Sequence, residues 1–150
     1  MKPVALDVRL DGIPAEMRAA RRWVVHRAKV PFNPITGRHA SSTDPATWGN
    51  YAQAYAALAT GRYDGLGFVL GDGIAGVDLD KCRNPQTGAI EPWALAIIER
   101  LDSYTEVSPS GCGVHIFCRV DPAWTCGRKS GGIQIYTRSR YFTVTGQAVR

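Results

Sequence analysis

The segment Ile74-Ala75-Gly76-Val77-Asp78-Leu79-Asp80 admits few folds. A strand sends alternate side chains to opposite faces, so Ala75, Val77 and Leu79 form an apolar face while Asp78 and Asp80 share the other. In extended chain their Cα atoms stand roughly 7 Å apart. Aspartate is disfavoured in strands, and two on one face repel each other. A divalent cation held by both resolves that conflict. The pattern therefore points to a half-buried strand carrying a Mg²⁺ or Mn²⁺ site suited to phosphoryl chemistry. A D-x-D pair alone is also compatible with two solvated carboxylates at a strand end.

The 150-residue chain, 45% hydrophobic and 21% charged, can bury one sizeable core and is not of disordered composition. A single domain over 1–150 is the expectation. Eighteen lysines and arginines against 13 acids leave a formal charge of +5, which favours a polyanionic partner. Cys82, Cys112, Cys118 and Cys126 form no C-x-x-C pair and match no common zinc spacing, so they read as reduced thiols. No apolar run approaches membrane-spanning length, and Asp7, Arg9 and Asp11 interrupt any signal-peptide core. A cytoplasmic protein without membrane association is expected.

Residues 14–20 predict a short helix after Pro14, and Trp23-Val24-Val25-His26 a first strand. Residues 27–49 read as a long loop punctuated by Pro31, Pro34, Gly37, Pro45 and Gly49, with Asp44-Pro45 starting one helical turn. Asn50 caps a helix reaching Thr60. Leu66–Leu70 is a strand, and Gly71-Asp72-Gly73 predicts a hairpin into the aspartate strand. Pro92 opens a helix whose apolar stripe is Trp93, Ile97 and Leu101. Tyr104–Val107 is extended, 114–120 is a strand, and Ile133–Tyr136 and Tyr141–Val144 form a pair joined by Thr137-Arg138-Ser139-Arg140. Trp23 and Trp93 read as core, and Trp48 as a loop anchor. Each strand is half apolar and half polar, which predicts an α+β fold: a largely antiparallel sheet with helices on its apolar side. Its polar face would gather Asp78, Asp80, His115, Arg119, Gln134 and the threonines.

Three further features bear on chemistry. His115 follows Ser110-Gly111-Cys112-Gly113, a stretch whose free N–H groups and hydroxyl suit a phosphate beside an imidazole. Arg138 and Arg140 offer guanidinium forks, and Lys29 an ammonium, for phosphate oxygens. Trp124 with Arg128 and Lys129 is a candidate contact for a nucleic-acid strand. A structural histidine and solvated basic residues are the alternatives.

Val77-Asp78-Leu79-Asp80, Ser108-Pro109-Ser110-Gly111-Cys112-Gly113-Val114-His115, Ile133-Gln134-Ile135-Tyr136 and Arg140-Tyr141-Phe142-Thr143-Val144-Thr145-Gly146 together resemble the archaeo-eukaryotic primase superfamily. The nearest branch is the primase-polymerase domain of phage and plasmid replication proteins, which Trp23, Lys29-Val30-Pro31 and Asp44-Pro45-Ala46-Thr47-Trp48 also match. The resemblance covers about residues 20–146. It implies an α+β catalytic core with a sheet related to the RNA-recognition fold, and a DNA primase-polymerase activity. Asp78 and Asp80 would hold Mg²⁺ or Mn²⁺, in a site for two metals. His115 and Ser110 would bind the triphosphate of an NTP or dNTP, with Arg140 and, more weakly, Lys29 and Arg138. The partner would be single-stranded or primed DNA template, in phage or plasmid replication.

Two departures qualify that expectation. The third motif of the family carries an acid where this chain has Gln134, and an amide binds a divalent ion more weakly. The second metal is thereby in question. The resembling proteins continue into a helical region and often a helicase, whereas no G-x-x-x-x-G-K-[ST] loop occurs here. A catalytically weakened nucleotide or nucleic-acid binding module, and a metal-dependent nuclease, are the rival readings.

Overall fold

The structure, a computed structural model, describes residues 12–149; Asp7, Arg9 and Asp11 lie outside them. The described residues form helices α1 (Ala15–Ala19), α2 (Tyr51–Ala59) and α3 (Pro92–Leu101). Strands β1 (Trp23–Arg27), β2 (Val30–Phe32), β3 (Gly65–Val69), β4 (Ile74–Leu79) and β5 (Thr105–Val107) are followed by β6 (Val114–Arg119), β7 (Gly127–Ser130), β8 (Ile133–Tyr136) and β9 (Tyr141–Val144). No helix among them is long and apolar enough to cross a membrane.

The fold is α+β and its strand pairs are antiparallel, as the alternating pattern predicts. The strands divide between two sheets, however, of order β2-β1-β3-β9 and β5-β6-β4-β8-β7. β3 and β4 are therefore not a hairpin: only a Gly71–Ile74 bridge joins them across the turn. Nor are β8 and β9. The chain reverses at Asp72-Gly73, where Gly71 and Ile74 exchange backbone hydrogen bonds of 3.0 Å, and β3 and β4 then diverge into different sheets. The 71–73 and 137–140 crossings lie side by side, the Leu70 N–H donating to the Arg140 carbonyl at 2.8 Å. Gly71, Asp72 and Gly73 all adopt positive φ at the first crossing, a geometry that glycine takes without a Cβ penalty.

The local signals at helix starts hold. Asp44 accepts from the Ala46 N–H ahead of a single 3-10 turn, Pro45–Thr47, and Asn50 forms a reciprocal capping box with Gln53. Trp48 anchors its loop through the Ser41 carbonyl and the Arg22 guanidinium above its ring. Residues 27–49 are less irregular than their prolines suggest, because β2 returns against β1 through Ala28 and Lys29, both at positive φ in a two-residue turn. α3 buries Ala94 and Ile98, while Trp93 and Leu101 are 40% and 39% exposed, so the expected stripe and the assignment of Trp93 to the core are both incorrect. A small residue at 94 lets the helix sit close to the sheet, and that sets the buried face.

Two cores result. Trp23, Val25, Leu66, Phe68, Phe142 and Val144 pack under α2 and reach Phe117 and Ile74 of the second sheet. Val77, Leu79, Val114 and Ile116 pack on Ala94 and Ile98 of α3. Truncating Trp23, fully buried and donating to the Met17 carbonyl, would cost about 3–5 kcal/mol. The first sheet covers one end of the second sheet's polar face. A Cβ on Gly76 would come within 2.6 Å of Phe142 Cε2, so the missing side chain lets the sheets meet. The other end of that face stays open.

Candidate active site

Strand register assembles the polar face. Glu106 of β5, His115 of β6, Asp78 of β4, Gln134 of β8 and Lys129 of β7 stand opposite one another in a single row across all five strands. Directly paired residues share a face of the sheet. Asp80 lies two residues beyond Asp78 on that face, and its neighbours on both sides are glycines. A Cβ on Gly113 would meet the Leu79 carbonyl at 2.5 Å, and one on Gly132 the Asp80 carbonyl at 3.1 Å. Asp80 thus projects from a bare patch where a ligand can approach.

A cleft of about 590 Å³ opens over this row. Asp78, Asp80, His115, Ser110, Gln134, Lys29 and Arg140 all line it. The sequence-predicted carboxylates, imidazole, hydroxyl and cations thus meet in one hollow, to which β9 adds Tyr141 and Thr143. Arg138 does not join them. It lines a neighbouring hollow of about 360 Å³, because the 137–140 segment is a crossing between sheets and turns this side chain away. Arg119 is also elsewhere, paired with Glu16 at 2.7 Å near α1.

Each group is held differently. His115 is buried, and its Nδ1 lies 3.0 Å from the Thr143 carbonyl. A carbonyl only accepts, so Nδ1 carries the hydrogen and Nε2 faces the cleft. Nε2 is 3.7 Å from Asp78 Oδ1. Burial pushes the Asp78 carboxyl above the usual carboxylate range; His115 opposes the shift, Asp80 adds to it, and Lys29 and Lys129 oppose it. Ser110 and Ser108 sit with their hydroxyls 3.3 Å apart in the turn between β5 and β6, and Arg83 braces that turn through the Gly111 carbonyl at 3.0 Å. Lys29 occupies the β1–β2 turn, where its carbonyl accepts the Tyr141 hydroxyl. Arg140 lies 4.3 Å over the Tyr136 ring.

The donor set fits a hard divalent cation of open coordination. Mg²⁺ commonly takes one or two carboxylates and completes its shell with substrate phosphates and water. Asp78 and Asp80 supply the carboxylates, and the Gln134 amide stands next to Asp78. Among the described residues no group of three or more His, Cys, Asp or Glu side chains converges on one point. All four cysteines are free thiols.

Glu106 is a site residue that the sequence reading passed over. It is fully buried, accepts from the Thr145 N–H at 2.7 Å, the Thr145 hydroxyl at 3.1 Å, the Tyr104 hydroxyl at 3.0 Å and the Gly146 N–H at 3.3 Å, and stands beside His115. Burial holds its carboxyl above the usual range. An acid between Thr105 and Val107, where a strand wants apolar or β-branched residues, was the available signal.

No protein-family model matches the chain. Among curated proteins, the chain is similar to the DNA primase-polymerase of Nitratiruptor phage NrS-1, with 34% identity over 148 residues, 90% of this chain. The chain spans about a fifth of that relative, 21% of its length. The similar region includes the acid strand, the serine-glycine turn and the histidine strand that build the cleft.

Proposed function

We propose that this domain performs template-directed nucleotidyl transfer: primer synthesis, primer extension or both. The observation that carries the reading is the row His115–Asp78–Gln134 lying in one cleft with Asp80, Ser110, Lys29 and Arg140. Similarity to a phage DNA primase-polymerase supports it. Asp78 and Asp80 would hold Mg²⁺ or Mn²⁺, which when bound lowers the pKa of a 3′-hydroxyl and neutralises charge on the leaving pyrophosphate.

The chain's own groups do the positioning. His115 Nε2 and the Ser110 hydroxyl face the cleft from the β5–β6 side, while the Ser108, Gly111 and Cys112 N–H groups are committed to bonds within the turn and hold it in shape. Lys29 and Arg140 close on the same space and place positive charge against a triphosphate. The α-phosphorus would then sit over Asp78 and Asp80, in line for attack by the 3′-hydroxyl of a strand arriving from the opposite side. The nucleic-acid partner and the role in phage or plasmid replication belong to this proposal.

Primer extension with labelled nucleotides, in Mg²⁺ and in Mn²⁺, tests it. Product growth that requires Asp78 supports the reading. Nucleotide affinity without turnover would favour a binding module, the second reading, which rests on Gln134 in place of a third acid. Shortened strands would indicate a nuclease.

A further inference from the structure

A set of cations stands outside the acidic cleft. β7 is the outer strand of the second sheet, and all four of its residues, Gly127-Arg128-Lys129-Ser130, are exposed. Between β7 and the 137–140 crossing lies the hollow of about 360 Å³ lined by Gly127, Tyr136, Arg138 and Arg140. It shares Tyr136 and Arg140 with the acidic cleft, so the two hollows adjoin across the stacked Tyr136 and Arg140 side chains. No carboxylate lines it. Among the described residues neither Lys129 nor Arg138 forms an ion pair.

Basic residues on an edge strand can serve only to discourage pairing with another sheet. That account fails for Arg138 and Arg140, which are not on β7. The placement of charge along the row is more informative. His115 lies on one side of Asp78, and Gln134 and Lys129 on the other. A triphosphate on the His115 side leaves the Lys129 side without a ligand. Nucleotidyl transfer needs a second polyanion there.

We propose that these adjoining hollows are the path of a single nucleic-acid strand, its phosphates held by Arg138 on the wall of the second hollow and by Lys129, which lines neither hollow but stands at the end of the row beside Gln134. The inference rests on the function proposed above and assigns the partner's surface. Single-stranded chemistry is favoured by the aromatic groups. Gly127 stands opposite Tyr136 and puts no side chain over the ring, whose other cover is the Arg140 guanidinium at 4.3 Å. Trp124 is 49% exposed, one residue before Thr125 on the wall of the hollow. Basic grooves that also offer aromatic faces bind single strands through phosphates and stacked bases.

The test uses the full chain and its Lys129→Gln/Arg138→Gln variant. A fluorescent oligothymidylate, alone and annealed to its complement, is titrated by anisotropy across a salt series, and a fluorescent dNTP with Mn²⁺ is titrated in parallel. Both substitutions are on the surface, so the melting temperature should barely move. The variant is expected to bind the oligonucleotide about 5–10-fold more weakly at moderate salt. Its log K against log [salt] slope should flatten by about 1.4, since each single-strand phosphate contact contributes about 0.7. Nucleotide affinity should change less than about twofold. Equal oligonucleotide affinity and slope in the two proteins would overturn the inference while leaving primer extension by the wild type to decide the function separately. Failure of the wild type to bind the oligonucleotide at all would overturn both. A larger loss for duplex than for single strand would overturn the assignment of the strand type.

Discussion

His115 Nδ1 and the Thr143 carbonyl, 3.0 Å apart, tie the second sheet's central row to a strand of the first. The contact fixes the imidazole tautomer and aims Nε2 at the cleft. It also makes the join between the sheets part of the site: the ring packs 4.9 Å from Phe142, which itself fills the gap above Gly76. A shift of one sheet against the other would move the group proposed to meet the triphosphate.

Removing that imidazole should act on nucleotide binding. With Nδ1–H held by the Thr143 carbonyl, Nε2 can donate to a phosphate oxygen only as the imidazolium. That charge-assisted hydrogen bond contributes about 1.5–3 kcal/mol, so His115→Ala is expected to raise KM for the nucleotide about 10–100-fold in primer extension. The Mn²⁺ affinity of the free protein should stay within a few-fold of wild type. An unchanged KM would remove His115 from the triphosphate site.

Asp78→Asn should separate stability from activity. A carboxyl whose pKa is raised on folding holds its proton more tightly in the folded chain. Its contribution therefore falls as pH rises from the ordinary carboxylate range through the folded value. At neutral pH the ionised Asp78 beside Asp80 is a cost, and the amide relieves it. The variant should melt about 2–4 °C higher than wild type at pH 7 without metal, with the difference shrinking toward pH 4. It should also lose extension activity and the stabilisation that Mn²⁺ gives the wild type. A melting temperature lower than wild type at pH 7 would contradict the buried, repelled carboxylate described here.

Glu106 should prove more sensitive than its distance from the open cleft suggests. Its carboxylate satisfies two backbone N–H groups beyond β9 and joins β5 to that strand. Glu106→Ala leaves those donors buried and unpaired, and should cost about 3–5 kcal/mol in urea unfolding. Glu106→Gln keeps one acceptor and should cost about 1–2 kcal/mol. If Glu106→Ala unfolds at the wild-type urea midpoint, Glu106 does not hold the Thr145 and Gly146 N–H groups.

How legible was this in the sequence? The α+β class, the capped helices and the pairing of Asp78 with Asp80 rest on local alternation and caps, which a sequence displays directly. The division into two sheets does not. Gly71-Asp72-Gly73 is a competent turn, and whether β3 and β4 then pair or diverge depends on distant partners: β1 and β9 for one, β6 and β8 for the other. β7 was invisible because Gly-Arg-Lys-Ser buries neither face and so carries no apolar alternation. Glu106 was passed over because its partners Thr145 and Gly146 lie about 40 residues away along the chain. Within the cleft, Lys29, the Ser110–His115 stretch and Arg140 come from three separate segments, and no spacing rule could bring them to Asp78. The family resemblance supplied that expectation, and the register supplies a physical reason for it.

Gln134 offers the sharpest probe of the metal site. It faces Asp78 across β4 and β8, and its Oε1 accepts the Tyr136 hydroxyl at 3.2 Å. Gln134→Glu would place a third carboxylate in the row, next to a carboxyl that burial and Asp80 already hold high. Without a cation the added like charge repels Asp78, only partly offset by Lys129 on the neighbouring strand. The variant should therefore melt about 2–4 °C below wild type in chelator. With a cation the same charge is favourable. Mn²⁺ affinity should rise about tenfold, equivalent to 1.4 kcal/mol, and extension in low Mn²⁺ should become faster. Metal titration and melting curves that match wild type in both conditions would place residue 134 outside the metal's reach and leave Asp78 and Asp80 to hold it alone.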